Sequence, residues 1–363
     1  MTLEIPADNL TTLCADVFQR LGSSSEEAHR VAISLVGANL AGHDSHGVIR
    51  MPRYVDWVRS GDIVSNQTIE RVVDTPVLAV VDGRFGFGQT VAPLAVAIGI
   101  EKAKAAGLSA VSLRNAGHIG RVGEWAEMAA AVGLVSIHFV NVSGSVLVAP
   151  FGGIERRLST APFCVAIRRE GAEPVVLDFA TSLVAEGKVA VASRGGKPLP
   201  EGALVGPDGA LSTDPATLYG PITPDGPRNA GLGEGAIRAF GEHKGSGLAL
   251  ICELLGGSLT GTGATGPGRR FTNGMFSLYV DPGRIDPSHI FDGDAARYLA
   301  WFKQGKPMPG QTILTPGEPE RASRAKRLAD GVPLPRETWD SIAAAARSVG
   351  LDSARVARTL SRV

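Results

Sequence analysis

Apolar positions follow a helical period at both ends of this chain and a strand period between them. Leu10, Leu13, Val17 and Leu21 fall on one helical stripe. Ser23, Ser24 and Ser25 ahead of Glu26 and Glu27 form a capping-box start, and Val31 and Leu35 supply the apolar face of the helix that follows. Gly42 stops that helix near Leu40 and delivers the next residues into a turn. The first seventy residues therefore read as helical.

The texture changes at about residue 71. "PVLAVVDG" (76–83) predicts a strand ending in a turn, and "VAPLAVAIGIEKAKAAG" (91–107) a helix closed by Gly107. A strand and loop at 108–118, a helix at 121–133 closed by Gly133 and a strand at 134–144 follow. Strand and helix in alternation imply a mixed α/β sheet. "RLSTAPFCVAIRR" (157–169) and "EPVVLDFATS" (173–182) read as two further strands, antiparallel neighbours. The stretch 193–235 is rich in Gly, Pro and Asp and reads as an excursion over the surface. "HKGSGLALICELLGGSLTG" (243–261) is too apolar for an exposed helix, so it belongs in the core or at an interface. "GMFSLYVDPGRI" (274–285) is a strand with a turn, and 334–351 returns to helix. The expected organisation is a helical domain from 1–70 with 321–363, and a mixed α/β region over 71–320 with a smaller subdomain near 123–235.

Composition narrows the function. At 363 residues the chain exceeds one ordinary core, and 36 basic residues balance 36 acidic ones. Without a basic stripe, nucleic acid is not an expected partner. The longest apolar run, 91–100, is about half of what a bilayer span needs. "MTLEIPADNL" lacks the pattern of an export signal. Cys14, Cys164 and Cys252 are far apart, which fits neither a disulfide framework nor a zinc site. The expected setting is the cytoplasm, with no membrane partner and no metal.

"GTGATG" (261–266) matches the dinucleotide pattern G-x-G-x-x-G, but it follows a helix and leads into "PGRRFTNG", where no helix starts. The Rossmann reading needs a strand before and a helix after, so a loop is the better account. "GHDSHGVIR" (42–50) places His43 and His46 beside Arg50, a carboxylate-binding side chain near proton-accepting ones. Equally, His43 and Asp44 could simply cap helices. "NAGHIGRVGEW" (115–125) presents His118 at a strand tip before a helix start near Arg121, where phosphate or a plain loop fits. Asp178 ends an apolar strand and suits ribose hydroxyls or a helix cap. His243 and Lys244 lie between glycines at another helix start, and 315–320 reads as a rigid turn. The chain has no G-x-S-x-G elbow, H-E-x-x-H pair or phosphate loop.

Taken in order, "NLAGHDSHG", "GHIGR", "GEWAE", "GLVSIHFV", "VAPFGG", "STAPFCVAI", "LDFATS", "GEHKGSGLAL", "CELLGGSLTG" and "PGEPE" resemble the non-Rossmann malate/L-lactate dehydrogenase family over about residues 38–320. The resemblance implies a helical domain from both termini and a mixed-sheet, non-Rossmann nicotinamide-cofactor domain. It also implies a homodimer with active sites at the subunit boundary. The implied activity is hydride transfer between NAD, or NADP, and C2 of a 2-hydroxy or 2-oxo acid. The alternative is reduction of a cyclic imino acid such as piperideine-2-carboxylate. His46, His118 and Arg50 become the catalytic set, and Ser45, Arg50, Tyr54 and Asn141 the substrate set. Cofactor contacts fall on His46, Gly120, Arg121, Val122, Val176, Leu177, Asp178, Phe179, Ala180, His243, Lys244, Asn273, Gly317, Glu318, Pro319 and Glu320. Acid/base work is implied for both His46 and His118, so either could carry the proton; the expectation leans to His118, with His46 holding the nicotinamide end. After "HFVN" the text "VSGSVLVAP" departs from the Ser/Thr and prolines of many relatives, which leaves the substrate acid open.

Overall fold

The computed structural model describes residues 2–223 and 228–361. Three large hydrophobic clusters organise the described residues. The first joins both ends: Leu10, Leu13, Val17 and Phe18 of the Ala7–Arg20 helix pack with Val31 and Leu35 of the Ser25–Leu40 helix, Tyr54 of the Met51–Ser60 helix, and Trp339 and Ile342 of the Arg336–Ser348 helix. Leu10, Leu13 and Phe18 are completely buried, each contributing about 1.5–3 kcal/mol of transfer free energy. The chain ends also pair as strands, Thr2–Ile5 running antiparallel to Val332–Pro335. Four residues are too few for a period-2 pattern to stand out from helical text, which is why the helical reading of 1–70 passed over this strand.

The second cluster lies under a seven-stranded sheet in the order Glu70–Asp74, Leu78–Asp82, Leu108–Ala116, Thr272–Val280, Val135–Ser143, Pro162–Ile167, Val175–Ala180. Only the Leu78–Asp82 and Leu108–Ala116 pair is parallel; every other pairing is antiparallel. In a Rossmann sheet successive strand–helix–strand units lie side by side and parallel. Here Thr272–Val280 is inserted between the 108–116 and 135–143 strands, so the sheet is mixed and the usual crevice is not formed. The Gly88–Ala106 helix lies against this sheet, close enough that a Cβ on Gly99 would stand 2.2 Å from the ring of Tyr279. Gly107 closes that helix at φ +92°, as its place in the sequence predicts. Residues 261–266 form no helix start, in keeping with the rejection of "GTGATG" as a nucleotide loop.

The third cluster corrects the reading of 193–235 as a surface excursion. Leu204–Val205 and Leu211–Ser212 join Ala236–Arg238 and Val148–Ala149 in a four-stranded sheet, and Leu199, Ala203, Leu204, Leu218 and Tyr219 are buried. Strands of two residues carry no periodicity, so composition alone misleads. Arg156 fastens the lobe, donating to the carbonyls of Gly235 (2.6 Å), Gly233 (2.6 Å), Leu218 (3.1 Å) and Ala230. Residues 224–227 of the predicted excursion lie outside the described residues. The apolar stretch 243–261 is a helix, His243–Cys252, continued by a π-helical turn over Glu253–Leu259. Ala249, Cys252 and Gly256 face inward, whereas Leu250, Ile251, Leu254 and Leu259 are exposed. No helix of the described residues is long and apolar enough to cross a membrane.

Candidate active site

The two histidines singled out in the sequence meet. The Ser25–Leu40 helix ends before Gly42, and a 3-10 turn over Asp44–His46 follows. Asp44 is structural. It accepts from both guanidinium nitrogens of Arg327, at 2.6 and 3.0 Å, and from the Asn39 amide at 2.6 Å. The Asn39 side-chain Oδ1 in turn accepts the Val48 N–H at 2.8 Å, which closes the turn. His118 arrives from the opposite direction, just beyond the Leu108–Ala116 strand. The rings of His46 and His118 stack with centroids 5.6 Å apart and planes 16° from parallel.

Each imidazole has a hydroxyl partner at Nδ1. Ser45 Oγ stands 3.0 Å from His46 Nδ1, and Tyr54 Oη 2.6 Å from His118 Nδ1. The Tyr54 oxygen also accepts from the Gln89 amide at 2.8 Å. Its own proton then has two acceptors in reach, His118 Nδ1 and the His118 carbonyl at 3.4 Å. Directed at Nδ1, the hydroxyl leaves the proton of a neutral imidazole on Nε2. Turned to the carbonyl, it accepts an Nδ1–H and leaves Nε2 bare as a base. Trp57 and Phe271 stack at 4.5 Å and stand 6.4 and 6.2 Å from the His118 ring, making one wall of the site apolar.

Burial, followed by the Arg50 guanidinium, pulls His118 well below the usual histidine value and His46 down to about 3. His46 is the more open of the two to solvent. Both are neutral at neutral pH. His138, fully buried between Ser277 and Ser136, is also held down to about 3 by burial. The unfolded chain takes up protons below about pH 6.5 that these folded imidazoles refuse. Stability is thus complete above that pH and falls as pH drops towards the depressed folded values, by about 1.4 kcal/mol per unit for each group. Urea melts at about pH 7 and about pH 5.5 should differ by roughly 2.5 kcal/mol from His118 and His138 together. A difference under about 0.5 kcal/mol contradicts these shifts.

Arg50 ends the 3-10 turn Val48–Arg50. Its Nε donates to the Ser45 carbonyl at 2.6 Å, and one terminal nitrogen lies 3.9 Å from Glu186. Among the described residues the rest of its fork makes no further hydrogen bond, leaving an edge for a carboxylate.

The segments expected to hold a cofactor converge beside the histidines. Asp178, on the Val175–Ala180 strand, accepts the Gly123 N–H at 2.7 Å, one residue beyond Gly120, Arg121 and Val122. The Val176 N–H donates to the Pro316 carbonyl at 3.3 Å, bringing the 317–320 turn alongside. Glu320 Oε1 lies 3.2 Å from His43, which holds its carboxyl below the usual value, while Glu320 Oε2 is buried without a partner. An unsatisfied buried acceptor in the segment packed against the strand of Asp178 fits a hydroxyl-bearing group such as a ribose, so the residues present suit a nucleotide. Glu318 caps its own turn and pairs with Lys303. Arg121 is buried and bidentate to Glu127, so its guanidinium is already engaged.

Other expected residues stand apart from this convergence. Asn141 is fully buried: its amide donates to Gly263 and Glu253 and accepts from Gly274. Those bonds use both N–H groups of a side chain that is shut away from solvent. Asn273 spends its amide on the Ile119 N–H and the Asn141 carbonyl, fixing the loop that carries His118. His243 and Lys244 are exposed at their helix start, His243 against Phe151. Their link to the strand tip runs through Phe240, whose ring meets Phe179 at 5.2 Å. Gln89, Trp57, Phe271 and Glu186 were not singled out in the sequence. Trp57, three residues after Tyr54 on one helix, had a spacing signal; the other three had none.

Comparison with known proteins agrees with this architecture. The chain matches the malate/L-lactate dehydrogenase family model over residues 5–343. It is 39% identical to hydroxycarboxylate dehydrogenase B of Escherichia coli K12, covering 95% of this chain and 94% of that protein. It is 34% identical to malate dehydrogenase of Pyrococcus abyssi, covering 98% and 97%. The structure of sulfolactate dehydrogenase from Methanocaldococcus jannaschii superposes with a TM-score of 0.82 at 32% identity, covering 96% of this chain and 98% of that one. With its non-Rossmann sheet and paired histidines, this chain belongs to the malate/L-lactate dehydrogenase family and is an oxidoreductase acting on CH–OH groups.

Proposed function

We propose that the enzyme moves a hydride between a nicotinamide coenzyme and C2 of a 2-hydroxy or 2-oxo acid, with His118 as the proton carrier. The observation that carries this reading is the stacked pair of neutral imidazoles at 5.6 Å beside a half-free arginine fork. Arg50 binds the substrate carboxylate through its open edge, a charge-assisted contact that orients C2. His118 Nε2 faces the hydroxyl at C2. In oxidation it takes that proton, the new positive charge being tolerated because Tyr54 then accepts the Nδ1–H. In reduction it donates to the carbonyl oxygen, where negative charge develops. When bound, the nicotinamide supplies the two-electron acceptor or donor for C2. His46, held by Ser45, lines the nicotinamide side. Trp57 and Phe271 keep water from the reacting centre.

The segments 120–122, 176–180 and 317–320, with His46, are the proposed coenzyme contacts. Asp178 and Glu320 place two carboxylates there, which favours a ribose diol over a 2′-phosphate, so NAD is the proposed coenzyme. Exposed Leu250, Ile251, Leu254 and Leu259 on one apolar helix fit the homodimer expected of the chain, and three buried unpaired cysteines fit the cytoplasm.

The test is absorbance at 340 nm with NADH and NADPH crossed against 2-oxo acids and a cyclic imino acid, over about pH 6–8. The expected result is NADH oxidation by a 2-oxo acid. For reduction, kcat/KM should rise about tenfold per unit as pH falls, because His118 is mostly unprotonated at its depressed pKa. Oxidation of the hydroxy acid should be nearly flat over the same range. Turnover of the imino acid alone overturns the reading.

A further inference from the structure

The Arg50 fork faces a second charged group that the proposed reaction does not use. Glu186, at the start of the Glu186–Ala192 helix, holds one carboxylate oxygen 3.9 Å from the Arg50 guanidinium. Its other oxygen accepts the Tyr219 hydroxyl at 2.6 Å, and Tyr219 is only 2% exposed in the core of the small lobe. Glu186 is therefore pinned and cannot swing into solvent when an anion arrives. Its helix start is pressed against the histidine turn, since a Cβ on Gly187 would stand 2.7 Å from the Cβ of Ser45.

We propose that Glu186 is a specificity-determining residue that admits monoanionic 2-oxo acids with an apolar side chain and turns away dianionic ones. The inference rests on the dehydrogenase reading above and deepens it. Arg50 brings one positive charge to the site and Glu186 cancels it. Of the other cations around the site, Arg121 pairs with Glu127, Arg270 donates to the Gly61 and Asp62 carbonyls while covering the Phe85 ring at 3.6 Å, and Arg53 is exposed over the Trp57 ring, 5.4 Å from its centroid. One substrate carboxylate can take the open edge of Arg50. A second one beside Arg50 meets the fixed carboxylate of Glu186, and one turned the other way meets the Trp57–Phe271 wall. Like charges set against each other in a partly desolvated site discriminate by two or more powers of ten. An apolar or aromatic side chain instead gains contact with that wall.

The test compares kcat/KM of the full-length enzyme for phenylpyruvate and oxaloacetate, in the wild type and in Glu186→Gln. The glutamine keeps an acceptor for Tyr219 and removes only the charge. The wild type should favour phenylpyruvate by about 100-fold or more, and the variant should narrow that ratio at least about tenfold. The discrimination is electrostatic, so salt raised from about 0.05 to about 0.5 M should also narrow it in the unaltered enzyme. Equal use of both acids by the wild type overturns the proposal, as does a ratio that neither the substitution nor salt moves. If neither acid is turned over with either coenzyme, the dehydrogenase reading fails, and ligand-induced thermal shifts decide the role of Glu186 separately. Phenyllactate should then raise Tm more than malate does, with the gap closing in Glu186→Gln; equal shifts, or an unchanged gap, overturn it.

Discussion

His118→Ala is expected to lower kcat for hydroxy-acid oxidation by about 10²–10⁴, with a much smaller change in KM. The ring is 8% exposed and aimed by Tyr54, which is itself fixed by Gln89, so no other imidazole can take its position unless the loop moves. His46 is the nearest substitute, yet its Nδ1 belongs to Ser45 and its ring lies parallel to that of His118. Tyr54→Phe should fall between wild type and His118→Ala, losing about 10–10²-fold. Without the hydroxyl, His118 keeps its place but loses the partner that lets Nδ1 be either acceptor or donor. The two variants should also differ in pH response. Tyr54→Phe retains a base whose profile is shifted, whereas His118→Ala has no imidazole at that position and its residual rate should lose the His118 titration. Near-normal turnover by His118→Ala would return the proton to His46, a reversal that His46→Ala would then have to confirm.

Much of this site was legible before the structure because the relevant residues sit where local signals are strong. Gly42 and Gly117 flank the histidines, and strand and helix ends were marked by glycines that do adopt positive φ, as at Gly107 and Gly133. What could not be read was long-range pairing. The strand Thr272–Val280 reaches its place between strands more than a hundred residues earlier through hydrogen bonding that leaves no trace in periodicity. Asn141 shows the same limit at a single residue. Its sequence neighbourhood suggests a substrate contact, whereas contacts with Glu253, Gly263 and Gly274, far away in the chain, bury the amide and use both of its N–H groups. Glu186 shows the converse. Nothing in "LVAEGKVA" announces a charge facing Arg50 across 136 positions; only the close approach of Gly187 to Ser45 does.

Arg50 carries the second large effect, and its two jobs separate by substitution. Arg50→Lys keeps the charge but loses both the planar fork and the Nε–H that holds the Ser45 carbonyl at 2.6 Å. A point charge attracts the carboxylate without fixing its plane, so kcat/KM should fall about 10²-fold with kcat and KM both affected. Arg50→Ala removes the charge as well and leaves Glu186 facing the incoming anion with no cation between them. The loss should then reach about 10³-fold or more, because a neutralised pair has become a net negative site. Removing the guanidinium also releases the imidazoles from its field, so their pKa values should rise part of the way towards the ordinary histidine value. That predicts a reduction profile displaced to higher pH in Arg50→Ala. If Arg50→Ala binds and turns over 2-oxo acids as the wild type does, the carboxylate is held elsewhere, and Glu186 has no anion to repel.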